Sequence, residues 1–278
     1  MLIGQTVGTY LVRRNIGIGG MGRVYQALDL SHNRVVALKV LLPEYAEDDN
    51  FRTRFWREAG EAGFDTVFAL DFEGSRESGV VEYGVVAIGP DGIREGRTGW
   101  CAPHGRLDWR ERVTHGLSDE RLAGYPPFAE EWERFRAARA AGPFLAHAAA
   151  VEDRFLRRQW PTPGMVPDWS GGEAMVAGWG PWLDTCALYR ALVPSRESAA
   201  LAPLVEAENL EEALDGQAGR FCPPERSRWH AALYDALACA LLFLRALEMQ
   251  PDWTLWRWFQ QSRPGNGPEE PAAQLGLF

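Results

Sequence analysis

Thr66-Val67-Phe68-Ala69-Leu70-Asp71-Phe72-Glu73 is an apolar run that ends on two acids. Such a run reads as a buried strand. Asp71 and Glu73 stand at i and i+2, so a strand turns both carboxylates to one face. Two acids side by side in an apolar setting are costly unless something positive joins them. A divalent cation is the natural partner, and oxygen-only ligands favour magnesium or manganese. Asp-x-Glu alone is a common pattern, and an exposed strand end is the competing explanation.

Working outward, Gly79–Ile88 reads as the hairpin partner of that strand, and a third strand is expected near Gly92–Trp100. Pro126–Ala141 has helical periodicity, with proline suited to the first turn. Phe144-Leu145-Ala146 reads as a short strand entering a helix at about Ala149–Gln159. Trp182–Val193 begins as a strand and ends as a helix, and Trp229–Glu248 is a long helix rich in alanine and leucine. Strands first, then alternating strands and helices, predict an α/β layered domain with a mixed sheet over residues 64–250.

Two further stretches carry acids. His230-Ala231-Ala232-Leu233-Tyr234-Asp235 opens the last long helix. Positions five apart on a helix point about 140° from each other. Both reach one site only if His230 precedes the first turn, which Pro223, Pro224 and Ser227 make plausible. Between Leu145 and Leu156 a strand leads into a helix bearing Glu152 and Asp153. Neighbouring helix residues diverge by about 100°, so only one of the two faces a shared site.

These three pieces, in this order, resemble the DEDDh exonucleases, the class that contains the epsilon proofreading subunit of bacterial DNA polymerase III. The resemblance runs from about Phe64 to Leu247. It includes His115-Gly116-Leu117 with Phe128 downstream, and Asp184-Thr185 with Leu188. It implies a ribonuclease H-like mixed sheet flanked by helices. It also implies a 3′–5′ exonuclease that hydrolyses DNA to nucleoside 5′-monophosphates with two Mg2+ or Mn2+ ions. Asp71, Glu73 and Asp235 would be metal ligands, together with Glu152 or Asp153, and His230 would be the base. An ungapped comparison favours Glu152, whereas aspartate is the family's usual residue there. Ala148 stands where the family carries asparagine. Single-stranded DNA or 3′ ends are the implied substrate; RNA trimming by the same residues is the alternative. A binding module without catalysis is a further reading, should Ala148 and the shifted acid have disabled the centre.

Residues 1–59 are of another kind. Gly17-Ile18-Gly19-Gly20-Met21-Gly22 can bring backbone amides close to phosphates. Lys39, the single lysine, follows in Val36-Ala37-Leu38-Lys39, and Glu58 stands in Phe55-Trp56-Arg57-Glu58-Ala59. Glycine loop, lysine and glutamate at this spacing resemble the start of a bacterial serine/threonine protein kinase, a β-rich N-lobe fragment. The resemblance implies a vestigial nucleotide site with Lys39 held by Glu58. No His-Arg-Asp loop or Ala-Pro-Glu follows, so kinase chemistry is not expected. Residues 1–60 supply no nuclease ligand and are expected to be dispensable for nuclease activity.

Residues 262–278 read as a flexible proline- and glycine-rich tail. It ends in Gln274-Leu275-Gly276-Leu277-Phe278, which resembles the pentapeptide that binds the bacterial sliding clamp. Glutamine offers hydrogen bonds, and Leu275, Leu277 and Phe278 offer an apolar anchor. The net charge of −9 argues against a sequence-independent DNA coater but not against a carboxylate metal site. Cys101, Cys186, Cys222 and Cys239 are scattered, so zinc ligation and a disulfide framework are not expected. No apolar run is long enough to span a bilayer and no signal peptide is legible, so a cytoplasmic location without membrane association is expected. Arg134, Arg136 and Arg139, and Arg154, Arg157 and Arg158, are candidate phosphate contacts. Trp253, Trp256 and Trp258 are expected to pack.

Overall fold

The computed structural model describes residues 3–7, 10–19, 22–30, 34–41, 53–170 and 174–263. They fall in two compact units, Met1–Phe51 and Arg52–Phe278. In the first, β1 (Thr6–Val7), β2 (Tyr10–Gly19), β3 (Gly22–Asp29) and β4 (Arg34–Leu41) form an antiparallel sheet in that order. Alternation along β3 turns Tyr25 and Ala27 inward, where they are buried, as is Val12. Gly19 of β2 pairs with Gly22 of β3. Gly20, Met21 and the Lys39 side chain lie outside the described residues.

The second unit opens with helix α1 (Thr53–Glu61). Then come β5 (Val67–Ser75), β6 (Gly79–Gly89) and β7 (Gly92–Trp100), an antiparallel meander. Short helices α2 (Trp109–His115) and α3 (Asp119–Leu122) lead to α4 (Trp132–Ala141), β8 (Phe144–Ala146) and α5 (Ala150–Gln159). A small ribbon, β9 (Val166–Pro167) and β10 (Met175–Val176), precedes β11 (Trp182–Asp184) and α6 (Thr185–Leu192). Helices α7 (Leu201–Ala207), α8 (Glu211–Phe221), α9 (Ala232–Met249) and α10 (Leu255–Gln261) complete the unit. The five-stranded sheet has the order β11-β8-β5-β6-β7, with β8 parallel to both β5 and β11. This is the expected mixed sheet flanked by helices.

One face of the sheet is covered by α9, whose alanines let it lie close. At Gly84 on β6 a Cβ would sit 2.3 Å from the Ala232 carbonyl oxygen, so only glycine admits the start of α9 there. The other face carries an aromatic cluster of Phe72, Tyr83, Phe128, Phe135, Phe144 and Trp179. Asp71 and Glu73 thus stand on the α9 face while Phe72, between them, anchors β5 from behind.

The division between units falls before α1, although its residues were read with the first segment. Phe55, Trp56 and Ala59 are buried in the main core of the second unit, and Phe55 meets Phe243 edge-on at 5.4 Å. The Glu58 carboxylate accepts from Arg54 Nε (2.9 Å) and from the Leu255 backbone N–H (2.6 Å) at the start of α10, all within the second unit. Helix α1, grouped with the first segment by its sequence, packs with the second unit. Among the described residues, no helix is long and apolar enough to cross a membrane.

Candidate active site

Four carboxylates from three elements meet on the α9 face of the sheet. Asp71 and Glu73 come from β5, Glu152 from the first turn of α5 and Asp235 from the first turn of α9. The charges of Asp71 and Glu73 act on Glu152, and those of Asp71 and Asp235 act on Glu73. Burial is the larger influence on all four and raises each carboxyl above its ordinary value. Asp71 is pushed up to about 7 by burial and by the Glu82 charge. Ligand atoms of Glu73, His230 and Asp235 lie within 4.8 Å of one another.

Local structure explains how Glu152 arrives. Asp184, at the end of β11, caps α6 through the Ala187 N–H (3.2 Å) and also accepts from the Ala148 (3.2 Å) and Ala149 (2.8 Å) N–H groups. This pins the turn between β8 and α5. Ala148 takes φ 63° there, a left-handed conformation that asparagine tolerates better than alanine. Beside it, His147 Nδ1 meets Thr185 Oγ1 at 2.9 Å, and burial lowers this histidine to about 4. It is a neutral group that braces the turn. The helix then turns Glu152 inward, while Asp153 is paired with Arg157 and accepts from Trp182 Nε1 (3.0 Å). The structure brings Glu152 to the cluster and leaves Asp153 outside it.

Helix α9 begins at Ala232, later than the expected Trp229, so His230 lies on the entering loop. It has φ 61°, is exposed, and its backbone N–H reaches Asp235 Oδ2 at 3.2 Å. Partial burial and the nearby Arg228 charge lower its imidazole below the usual value, so it is neutral at pH 7 and can accept a proton.

Two residues that sequence reasoning missed hold this loop. Glu82 on β6 pairs across the sheet with Glu73, and its buried carboxylate is gripped by the buried Arg226 guanidinium. A lone acid in Val80-Val81-Glu82-Tyr83 was the available signal, since an apolar strand keeps a charge only with a partner. Nothing in sequence pattern names Arg226, 144 positions away.

Other expectations are corrected. Arg139 is no phosphate contact: it is buried and donates to the carbonyls of Trp179, Pro167 and Gly180. Arg134, Arg136 and Arg157 are paired with Glu131, Glu133 and Asp153. Trp253 and Trp258 pack, but Trp256 is 48% exposed. Gln274, Leu275, Leu277 and Phe278 lie outside the described residues.

The sheet order and helix placement define a ribonuclease H-like fold. The chain is similar to a structure described as "Exonuclease X in complex with 5′ overhanging duplex DNA", with a TM-score of 0.53 and 19% identity, covering 71% of this chain and 99% of that one. A second structure, "3′-end specific recognition of histone mRNA stem-loop by 3′-exonuclease", gives a TM-score of 0.46 with 13% identity, covering 66% of this chain and 82% of that one. By sequence, a different part matches. The serine/threonine-protein kinase PknD of Mycobacterium tuberculosis is 48% identical over 61 residues, 22% of this chain and 9% of that protein. PrkC of Bacillus subtilis is 49% identical over 63 residues, 22% of this chain and 10% of that protein. The chain thus spans about a tenth of the length of these kinases. No family model matches it.

Proposed function

We propose that the second unit is a metal-dependent 3′–5′ exonuclease acting on DNA. One observation carries this reading. Four buried or half-buried carboxylates share one face, and two of their buried oxygens, Glu152 Oε2 and Asp235 Oδ1, have no hydrogen-bond partner. Unpartnered acceptors of one sign in a buried cluster are what a cation site requires. Asp71, Glu73, Glu152 and Asp235 fit two Mg2+ or Mn2+ ions, with hard oxygen donors and charge to match. Such ions, when bound, acidify water and neutralise charge that develops on the phosphate.

The chain's own groups do the rest. His230, neutral and exposed at the mouth of the cluster, takes the proton of the attacking water. Attack at the last phosphodiester releases a nucleoside 5′-monophosphate. The likeness to the exonuclease bound to 5′-overhanging duplex DNA favours a DNA 3′ end as substrate. The test is digestion of 3′-labelled DNA and RNA oligonucleotides with product chromatography. Release of 5′-mononucleotides from DNA, faster than from RNA, supports the reading; metal-independent release, or none, rejects it.

The first unit, on this reading, is the start of a kinase with no part in the reaction. The tail residues Gln274, Leu275, Leu277 and Phe278 are proposed to bind the sliding clamp, a reading that rests on sequence alone. Loss of clamp co-elution on Leu277→Ala with Phe278→Ala is its expected outcome; unchanged co-elution rejects it.

A further inference from the structure

Glu82 and Arg226 form a buried ion pair beside the carboxylate cluster but belong to none of its ligands. Arg226 is 3% exposed and Glu82 1%. Every guanidinium nitrogen donates: Nε to Glu82 Oε1 (3.0 Å), one terminal nitrogen to the His115 carbonyl (2.5 Å), and the other to Glu82 Oε2 and to the His230 carbonyl (3.0 Å). Glu82 is equally committed. It accepts from Trp100 Nε1 (2.9 Å) and from the Ala232 backbone N–H (3.4 Å), the first residue of α9. The loop carrying His230 is therefore held at that residue's own carbonyl and again at Ala232, two residues on.

The same strand makes room for the loop. Gly84, two residues beyond Glu82, lets the Ala232 backbone approach closely. His230 itself sits at φ 61°, a conformation that is strained for an L-residue and persists only where its surroundings impose it. The His230 N–H bond to Asp235 fixes the loop from within. Arg226, four residues upstream, ties it to Glu82 on the sheet.

We propose that the Glu82–Arg226 pair is a positioning device for His230: it imposes the left-handed loop that aims the imidazole at the carboxylate cluster. This rests on the exonuclease reading above. Arg226 bonds no proposed ligand; its charge also acts on Glu73 and Asp235, but lysine keeps that charge, so the loop contact is felt through His230, which has a consequence that simple structural support lacks. Once the imidazole is gone, loosening the loop has nothing further to cost.

The experiment is a double-mutant cycle on 3′-labelled single-stranded DNA in Mn2+, with wild type, Arg226→Lys, His230→Ala and the double variant. Melting temperature and Mn2+ affinity are measured for each. A misaimed base costs on the order of a hundredfold in rate. Arg226→Lys is expected to lower kcat by that order with KM and Mn2+ affinity little changed, and the double variant to be no slower than His230→Ala alone. Should Arg226→Lys fail to fold, Glu82→Asp, which keeps the charge and withdraws the carboxylate from Arg226 and from the Ala232 N–H, takes its place in the same cycle. Losses that multiply in the double variant, or a parallel fall in Mn2+ affinity, overturn the positioning role while leaving the nuclease reading intact. A wild type with no metal-dependent release overturns both.

Discussion

Glu152 and Asp153 are adjacent, both acidic, and opposite in situation. Glu152 is 4% exposed, with one oxygen unpartnered beside Asp71 and Glu73; Asp153 is neutralised by Arg157 and bonded to Trp182. Glu152→Gln is therefore expected to lower kcat by at least about a hundredfold, the loss of a directly acting charged group, and Asp153→Asn by no more than about threefold. The reverse ranking in steady-state assays would move the ligand to Asp153. The metal-free cluster also has a pH signature. Asp71 titrates at about 7 in the fold, against about 4 in an unfolded chain. The fold holds its proton more tightly, so the contribution of Asp71 to metal-free stability is greatest below those values and is lost as pH rises through them. Bound cations offset that loss. The melting temperature should rise more on adding Mg2+ or Mn2+ at about pH 8 than at about pH 5.5. Equal shifts at both values, by calorimetry, would mean that the cations bind elsewhere.

At the scale of elements, the sequence made the meander, β8, α5 and α9 legible because each has a clean apolar pattern or an acid at an informative spacing. Residues 53–61 misled. The run that looks like a kinase helix is amphipathic, and an apolar stripe does not say which core it enters. Phe55 and Trp56 chose Phe64, Phe243 and Trp258, and Glu58 chose the start of α10. Arg139 and Arg226 were illegible for a related reason: a buried arginine and a solvated one look alike in sequence, and only partners remote along the chain tell them apart. The placement of α1 yields a direct prediction. Removing residues 1–51 should leave the melting temperature of the second unit within a few degrees. Removing residues 1–60 should destabilise it heavily, and Phe55→Ala alone should cost about 3–5 kcal/mol. Equal stability of the two truncations in denaturant titrations would show that α1 is dispensable.

For the whole molecule, sequence likeness and fold likeness point to different parts. Identity to bacterial kinases covers 22% of the chain, while the exonuclease-like fold covers 71% of it at 19% identity. What that likeness shows is the sheet order and the helix placement; the acids that the sheet gathers are read from this chain itself. The account stands on those acids. The measurement that tests it most directly is release of a 3′ label from single-stranded DNA by the full chain and by Asp71→Asn, in Mn2+ and in chelator. The account predicts release by the wild type in Mn2+, none in chelator, and at least about a hundredfold slower release by Asp71→Asn. Undiminished release by Asp71→Asn, or release that persists in chelator, would contradict it.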